Sequence, residues 1–155
     1  DKAQDYIQEL SRVLRYTLQS NESQSVSLRE EMEFASAYIF LLKMRFENNL
    51  QFDIQIAKSF EDYRLPPMAV QVLIENAVKH NEISDRKPLT IHIVTNNEGY
   101  LSVSNDIQPK RTAASGTGIG LVNLAKRYRL LFKQDIQITE DKEFSVCIPL
   151  IDEVQ

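Results

Sequence analysis

A chain of 155 residues with an apolar share of 43% is enough for one domain and one packed core, with or without a helical appendage. Its formal net charge of -4 argues against non-specific nucleic-acid binding, since neutralising phosphates takes a surplus of Lys and Arg. No stretch approaches the ~20 apolar residues of a membrane-spanning helix, so no direct membrane contact is expected, and the charged opening Asp1-Lys2-Ala3-Gln4-Asp5 is not a signal peptide.

The chain opens inside a helical pattern without an initiator Met, and is expected to be a fragment of a longer protein. Over residues 3–20, Ile7, Leu10, Leu14 and Leu18 recur at the spacing of one helix face. A polar stretch from Gln19 to Ser25 ends this element. Ser27 followed by Glu30 is a capping-box signature, in which hydroxyl and carboxylate each satisfy a free backbone donor. The helix that follows, to about Asn48, carries one stripe at Met32, Ala35, Ile39, Leu42 and Phe46. A second stripe at Phe34, Tyr38 and Leu41 predicts that it pairs with the first helix and also touches the body of the domain.

From Leu50 the period changes to two, and Phe52, Ile54 and Ile56 alternate with polar residues as in a strand. Pro66-Pro67 is expected to open the next helix, where a missing backbone donor costs nothing, and the helix runs to about Asn81. Residues 89–95 and 100–104 alternate again, joined by the hairpin turn Asn96-Asn97-Glu98-Gly99. A loop over 107–115 leads to a glycine cluster and a helix from about Ile119 to Phe132. Two last strands, 136–139 and 144–150, flank the charged turn Glu140-Asp141-Lys142-Glu143. The single cysteine, Cys147, sits in that final alternating run and reads as a small buried residue. The order predicts an α/β two-layer sandwich, with a mixed, mostly antiparallel sheet and helices on one face, preceded by a helical pair. A parallel doubly wound sheet is the less favoured topology.

Two segments depart from what packing alone would choose. On the third helix, Asn76, Lys79 and His80 fall on one stripe. That stripe continues Val72 and Leu73, which are expected to face the core. Polar groups emerging from an apolar face need partners, because an unpaired buried amide costs roughly 1–3 kcal/mol. A magnesium ion with a phosphate chain would supply them, and needs few protein oxygens. The alternatives are a buried Asn satisfied by a strand, an ordinary His at a helix end, and a solvated Lys near a helix C-terminus.

The second segment is Gly116-Thr117-Gly118-Ile119-Gly120-Leu121, which holds three of the four glycines in the chain. Glycine is used where φ must be positive or where a ligand approaches the backbone. Helical periodicity at Leu121, Leu124, Ala125 and Tyr128 follows, so the cluster feeds a helix N-terminus, whose free amides and dipole favour anions. A flexible hinge is the competing reading. The dinucleotide fingerprint fails on spacing and on the lack of a preceding strand, and no Walker G-K-[ST] occurs. With two histidines on different elements and one cysteine, no metal-ligand spacing appears.

Together these segments resemble the N box and second glycine box of the GHKL superfamily, whose members share the Bergerat ATP-binding fold. Leu10-Ser11-Arg12-Val13-Leu14-Arg15-Tyr16, Val26-Ser27-Leu28-Arg29-Glu30-Glu31, Arg45-Phe46, Leu65-Pro66-Pro67 and Glu75-Asn76-Ala77-Val78-Lys79-His80 are similar, in that order, to LytS/YehU-type sensor histidine kinases. The resemblance implies that Asn76 binds Mg²⁺ bridging the ATP phosphates, that Glu75 partners a metal-bound water or a proton, and that Lys79 and His80 contact phosphate. It implies that Gly116, Thr117, Gly118, Ile119, Gly120 and Leu121 wrap the triphosphate. Residues 107–115, with Lys110 and Arg111, would form a short ATP lid. In the first glycine box, Asn105 stands where the family has an Asp that accepts the adenine amino group, and Ile107 stands where it has glycine. An amide oxygen can accept the same hydrogen bond, without charge assistance.

The implied activity is transfer of the γ-phosphoryl group of ATP to a histidine, and onward to an Asp of a response regulator. The family's acceptor histidine lies in an N-P-H-F segment upstream of Leu10-Ser11-Arg12, and neither His80 nor His92 occupies that place. His92 reads as a sheet residue. Residues 1–48 are assigned to the dimerisation and phosphoacceptor region, and residues 49–155 to the ATP-binding catalytic domain. The whole kinase is expected to be a homodimer and a bacterial inner-membrane sensor, with this part in the cytoplasm. Gyrase-like hydrolases place a general-base Glu four residues before the N-box Asn, where this chain has Val72. A degenerate domain acting as a non-catalytic interaction module is the remaining alternative, supported by Asn105 and Ile107.

Overall fold

The structure, a computed structural model, describes residues 1–19, 24–110 and 119–153. Helix α1 (Lys2–Gln19) and helix α2 (Leu28–Phe46) form the expected pair. They run antiparallel: Tyr16, late in α1, stacks on Phe34, early in α2, with 4.2 Å between ring centroids, while Tyr6 and Ile7 border the same cleft as Leu42 and Arg45. The face of α1 that meets α2 is not the one the apolar spacing marks. Glu9, Val13 and Tyr16 are its partly buried positions, whereas Ile7, Leu14 and Leu18 are 62%, 54% and 83% exposed. Periodicity identifies a face and leaves its partner unnamed.

Ser27 caps α2, its hydroxyl accepting the Glu30 N–H at 3.1 Å. The second half of the box differs from expectation. The Glu30 carboxylate accepts the Ser27 hydroxyl at 3.1 Å rather than a backbone donor. The chain entering the helix is instead paired as β1 (Val26–Ser27) with β3 (Arg64–Leu65), and the Leu28 and Arg29 N–H groups reach the carbonyls of Tyr63 and Glu61 at 2.8 and 2.9 Å. Strands of two residues carry no readable period, which is why they escape a sequence reading.

Strands β2 (Leu50–Gln55), β4 (Leu89–Thr95), β5 (Tyr100–Asp106), β6 (Gln137–Glu140) and β7 (Glu143–Pro149) form a five-stranded sheet in the order β2-β4-β5-β7-β6. The β2–β4 pair is parallel and the other three pairs are antiparallel. Ile91, Ile93, Leu101, Val103, Val146 and Ile148 are buried on one face. Helices α3 (Ala69–His80) and α4 (Ile119–Phe132) cover that face, and their Val70, Leu73, Ile74, Leu124 and Tyr128 join one core cluster. Leu28, Ala35 and Leu42 of α2 belong to the same cluster. The opposite face is polar and open: His92 Nδ1 lies 3.0 Å from Asp53 Oδ2, and this hydrogen bond holds the Asp53 carboxyl below its ordinary pKa. Cys147 alternates onto the same face and is half-buried rather than part of the core.

Helix α3 begins at Ala69, later than the Pro66-Pro67 reading placed it, because Met68 adopts a left-handed φ of 70° as the N-cap residue. No local side chain caps the helix. Glu31 of α2, 0% exposed, does so from a distance, accepting the Met68 N–H at 2.9 Å and the Val70 N–H at 3.2 Å. Tyr16 of α1 donates its hydroxyl to the same carboxylate at 2.7 Å.

Replacing the cap of α2, Ser27→Ala, is expected to lower stability by about 1 kcal/mol, read as a shift of the urea midpoint at unchanged slope.

Candidate functional site

On α3 the buried face is Val70, Leu73, Ile74 and Ala77. Asn76, Lys79 and His80 lie together away from it, as the helical spacing predicts. Val72 packs against the edge of the core cluster, as expected. It is half-buried and turns to α4, where a Cβ added to Gly120 would sit 3.4 Å from its Cγ1. The polar stripe therefore emerges between two helices.

A cleft of about 110 Å³ lies there, lined by Val72, Glu75, Asn76, Lys79 and His80 of α3 and by Ile119, Gly120 and Leu121 of α4. The polar stripe and the end of the glycine run are thus brought together. Gly116, Thr117 and Gly118, and the 111–115 part of the predicted lid including Arg111, lie outside the described residues. A second cleft of about 310 Å³ adjoins the first and shares Asn76 and His80 with it. Ala77 and Asn81 complete its α3 side. Ile107 and Pro109 close it from the loop after β5, and Glu140 and Phe144 from the β6–β7 hairpin.

Asn76 is half-buried, and its amide has no hydrogen-bond partner among the described residues. That removes the reading of an Asn satisfied by a strand. Lys79 and His80 are exposed at the rim, in the last turn of α3. Glu75 accepts from Gln71 Nε2 at 3.1 Å. It also faces the Tyr38 hydroxyl of α2, whose pKa is pushed up by burial and then by the Glu75 charge.

Asn105 is 1% exposed at the inner end of β5, and its Nδ2 donates to the Asp106 carbonyl at 2.8 Å. It does not line either cleft directly. It pairs in register with Phe144, which pairs with Glu140, so the three form one row beside the larger cleft. Lys110 is exposed just beyond Pro109.

Three lining residues were not foreseen. Asn81 is buried, donates Nδ2 to the Ala77 carbonyl at 2.8 Å and accepts the Gln108 N–H at 2.8 Å, tying the end of α3 to the start of the lid. Its position just past the helical stripe was the available signal. Glu140 and Phe144 reach the site only because β6 and β7 are the last strands of the sheet on that side, and nothing local to them announces it.

A family model described as Histidine kinase matches residues 1–50. Sensor protein LytS of Streptococcus mutans serotype c is 34% identical over 157 residues, covering 91% of this chain and 27% of LytS. The chain belongs to the LytS-type sensor histidine kinase family. LytS of Streptococcus agalactiae serotype V is 33% identical over 85% of this chain and 25% of its own length. The chain thus spans about a quarter of the LytS proteins it matches. Among solved structures, the catalytic domain of histidine kinase ThkA in a nucleotide-free form aligns with a TM-score of 0.55 at 20% identity, covering 81% of this chain and 94% of that one. The mycobacterial sensor histidine kinase MprB aligns with a TM-score of 0.52 at 11% identity, covering 83% and 98%. At those identities the likeness is one of fold, and the α/β sandwich of this LytS-type chain is that of a histidine kinase catalytic domain.

Asn81→Ala would leave the part-buried Gln108 N–H without its acceptor. The expected cost is about 1–3 kcal/mol, measured by chemical denaturation, with the 107–110 segment losing amide protection first.

Proposed function

We propose that the two adjoining clefts bind magnesium-ATP and that this domain supplies nucleotide, metal and geometry for protein-histidine phosphorylation. The observation that carries this reading is Asn76, an amide without a hydrogen-bond partner among the described residues, on the wall shared by a small cleft beside the described start of α4 and a larger, partly apolar one. Histidine kinase catalytic domains use ATP with magnesium, and the residues present fit that pair. Among the described residues no three His, Cys, Asp or Glu side chains gather to hold a metal. A magnesium ion at the Asn76 oxygen would take its remaining ligands from phosphate and water, as it does readily.

When bound, the ion neutralises phosphate charge. The residues do the rest by position. Lys79 and His80 offer donors at the rim of the small cleft. The backbone N–H groups at Ile119, Gly120 and Leu121, which line the small cleft, are the proposed phosphate donors, a helix start favouring an anion; no acidic residue occupies that first turn. For Gly116, Thr117 and Gly118, which lie outside the described residues, the same phosphate-binding role is proposed from the motif resemblance alone. Ile107 and Phe144 offer apolar surface to a purine, and Asn105 is the proposed acceptor for its amino group. Glu75, beside Asn76 and held by Gln71 and Tyr38, is the proposed partner for a proton or a water.

The γ-phosphoryl group would pass to a histidine nitrogen outside this stretch of chain, and then to an Asp of a response regulator. Such transfers depend on alignment and charge stabilisation. Val72, packed against α4, stands where a hydrolytic general base would be needed. Residues 1–48 would serve dimerisation and phosphoacceptance in a homodimeric kinase, and residues 49–155 catalysis. The open stripe of Ile7, Leu14 and Leu18 on α1 suits the first role. The proposed setting is the cytoplasmic side of a bacterial inner-membrane sensor; no described helix is itself long and apolar enough to cross a membrane.

Calorimetric titration with magnesium-ATP tests this. The chain is expected to bind, and Asn76→Ala to abolish the magnesium-dependent heat while leaving the melting temperature unchanged. Absence of binding to the wild type at millimolar nucleotide would instead favour a non-catalytic interaction module.

A further inference from the structure

Glu31 is a carboxylate with no solvent exposure and no part in the proposed chemistry. Its oxygens gather donors from two other helices: the Tyr16 hydroxyl of α1 and the Met68 and Val70 amides that start α3. The Tyr16 hydroxyl also lies against the Met68 N–H. Arg127 of α4 donates to the Pro67 carbonyl at 2.5 Å, one residue before Met68, and brings its charge near Glu31. A buried carboxylate is tolerated only where its partners are this complete. Burial raises its pKa, while the Tyr16, Met68 and Val70 hydrogen bonds and then Arg127 oppose that rise.

We propose that Glu31 is a positioning residue through which the seating of α1 sets the position of α3 and hence of Asn76. The physical route is short. Asn76 lies about 9 Å along the axis from Val70, at 1.5 Å per residue, and a helix is stiff over two turns. Met68 stands in a left-handed conformation that its surroundings must hold, so the entry to α3 is determined by its contacts rather than by intrinsic preference. Among the described residues that hydrogen-bond Glu31, Tyr16 is the one that comes from α1. When α1 shifts relative to α2, the Tyr16 hydroxyl is withdrawn, the cap loses a donor, and α3 relaxes at its start. Tyr38 adds a second link from α2, to Glu75 beside Asn76. The consequence for nucleotide affinity rests on the magnesium-ATP reading; the positioning itself does not.

The test is Tyr16→Phe, which keeps the ring stacked on Phe34 and deletes the hydroxyl alone. Amide exchange at Met68 and Val70 is expected to quicken about fivefold or more, and the backbone and side-chain amide resonances of Asn76 to shift, although Tyr16 does not line its clefts. Glu31→Gln, which keeps the volume but replaces one acceptor oxygen by a donor, is expected to move the Asn76 resonances in the same direction. Magnesium-ATP affinity should fall several-fold in both variants. Shifts that end at Val70 and leave Asn76 unmoved would overturn the proposal and reduce Glu31 to a cap that only stabilises the fold. A wild-type chain that binds no nucleotide would sink the magnesium-ATP reading, and the resonance map would still decide the positioning role.

Discussion

Everything in this fold that bears on function is arranged around the anchoring of α3. One side of that helix buries Val70, Leu73, Ile74 and Ala77 against the sheet, each burial contributing up to about 1.5–3 kcal/mol for the larger side chains. Its start is fixed by a buried carboxylate reaching across from α2, and its end by Asn81 clasping the loop after β5. A helix held on one face and at both ends has little freedom to rotate. Its remaining face can then carry polar groups at defined positions, which is the condition for using them on a ligand.

That remaining face explains the unusual state of Asn76. An amide on an ordinary surface would be fully hydrated, and one inside the core would be paired. Asn76 is neither, because α4 approaches from the side with glycine at position 120 and leaves a cleft rather than a seam. Val72, packed against the edge of the core, also meets α4 at Gly120. Ile119, Gly120 and Leu121 at the described start of α4 line that cleft together with Lys79, His80 and Glu75.

The helical pair is not a separate appendage in energetic terms. Leu28, Ala35 and Leu42 of α2 share the core of the sheet, and Glu31 and Tyr38 of α2 reach α3 at its start and at Glu75. Helix α1 leaves Ile7, Leu14 and Leu18 exposed, and Tyr16 links it inward to Glu31. Such a link suits a chain whose relatives are sensor proteins, since it joins the outermost helix to the innermost one by a contact that one hydroxyl can make or break.

The sequence by itself determined the order of the longer helices and strands, the mostly antiparallel sheet with helices on one face, the Ser27 cap and the meeting of the Asn76 stripe with Gly120. Each of these is written in local period, local capping chemistry or composition, which act over a few residues. Its ordered motifs also carried the family resemblance. Only the tertiary structure decided which face of α1 is covered, that Val72 turns to α4, that α3 starts at Ala69 behind a left-handed Met68, and that Asn81, Glu140 and Phe144 line the site. Those outcomes depend on contacts between residues tens of positions apart, such as Glu31 with Met68. No period or motif along the chain encodes them, because a side chain's partner across space is set by packing and not by spacing.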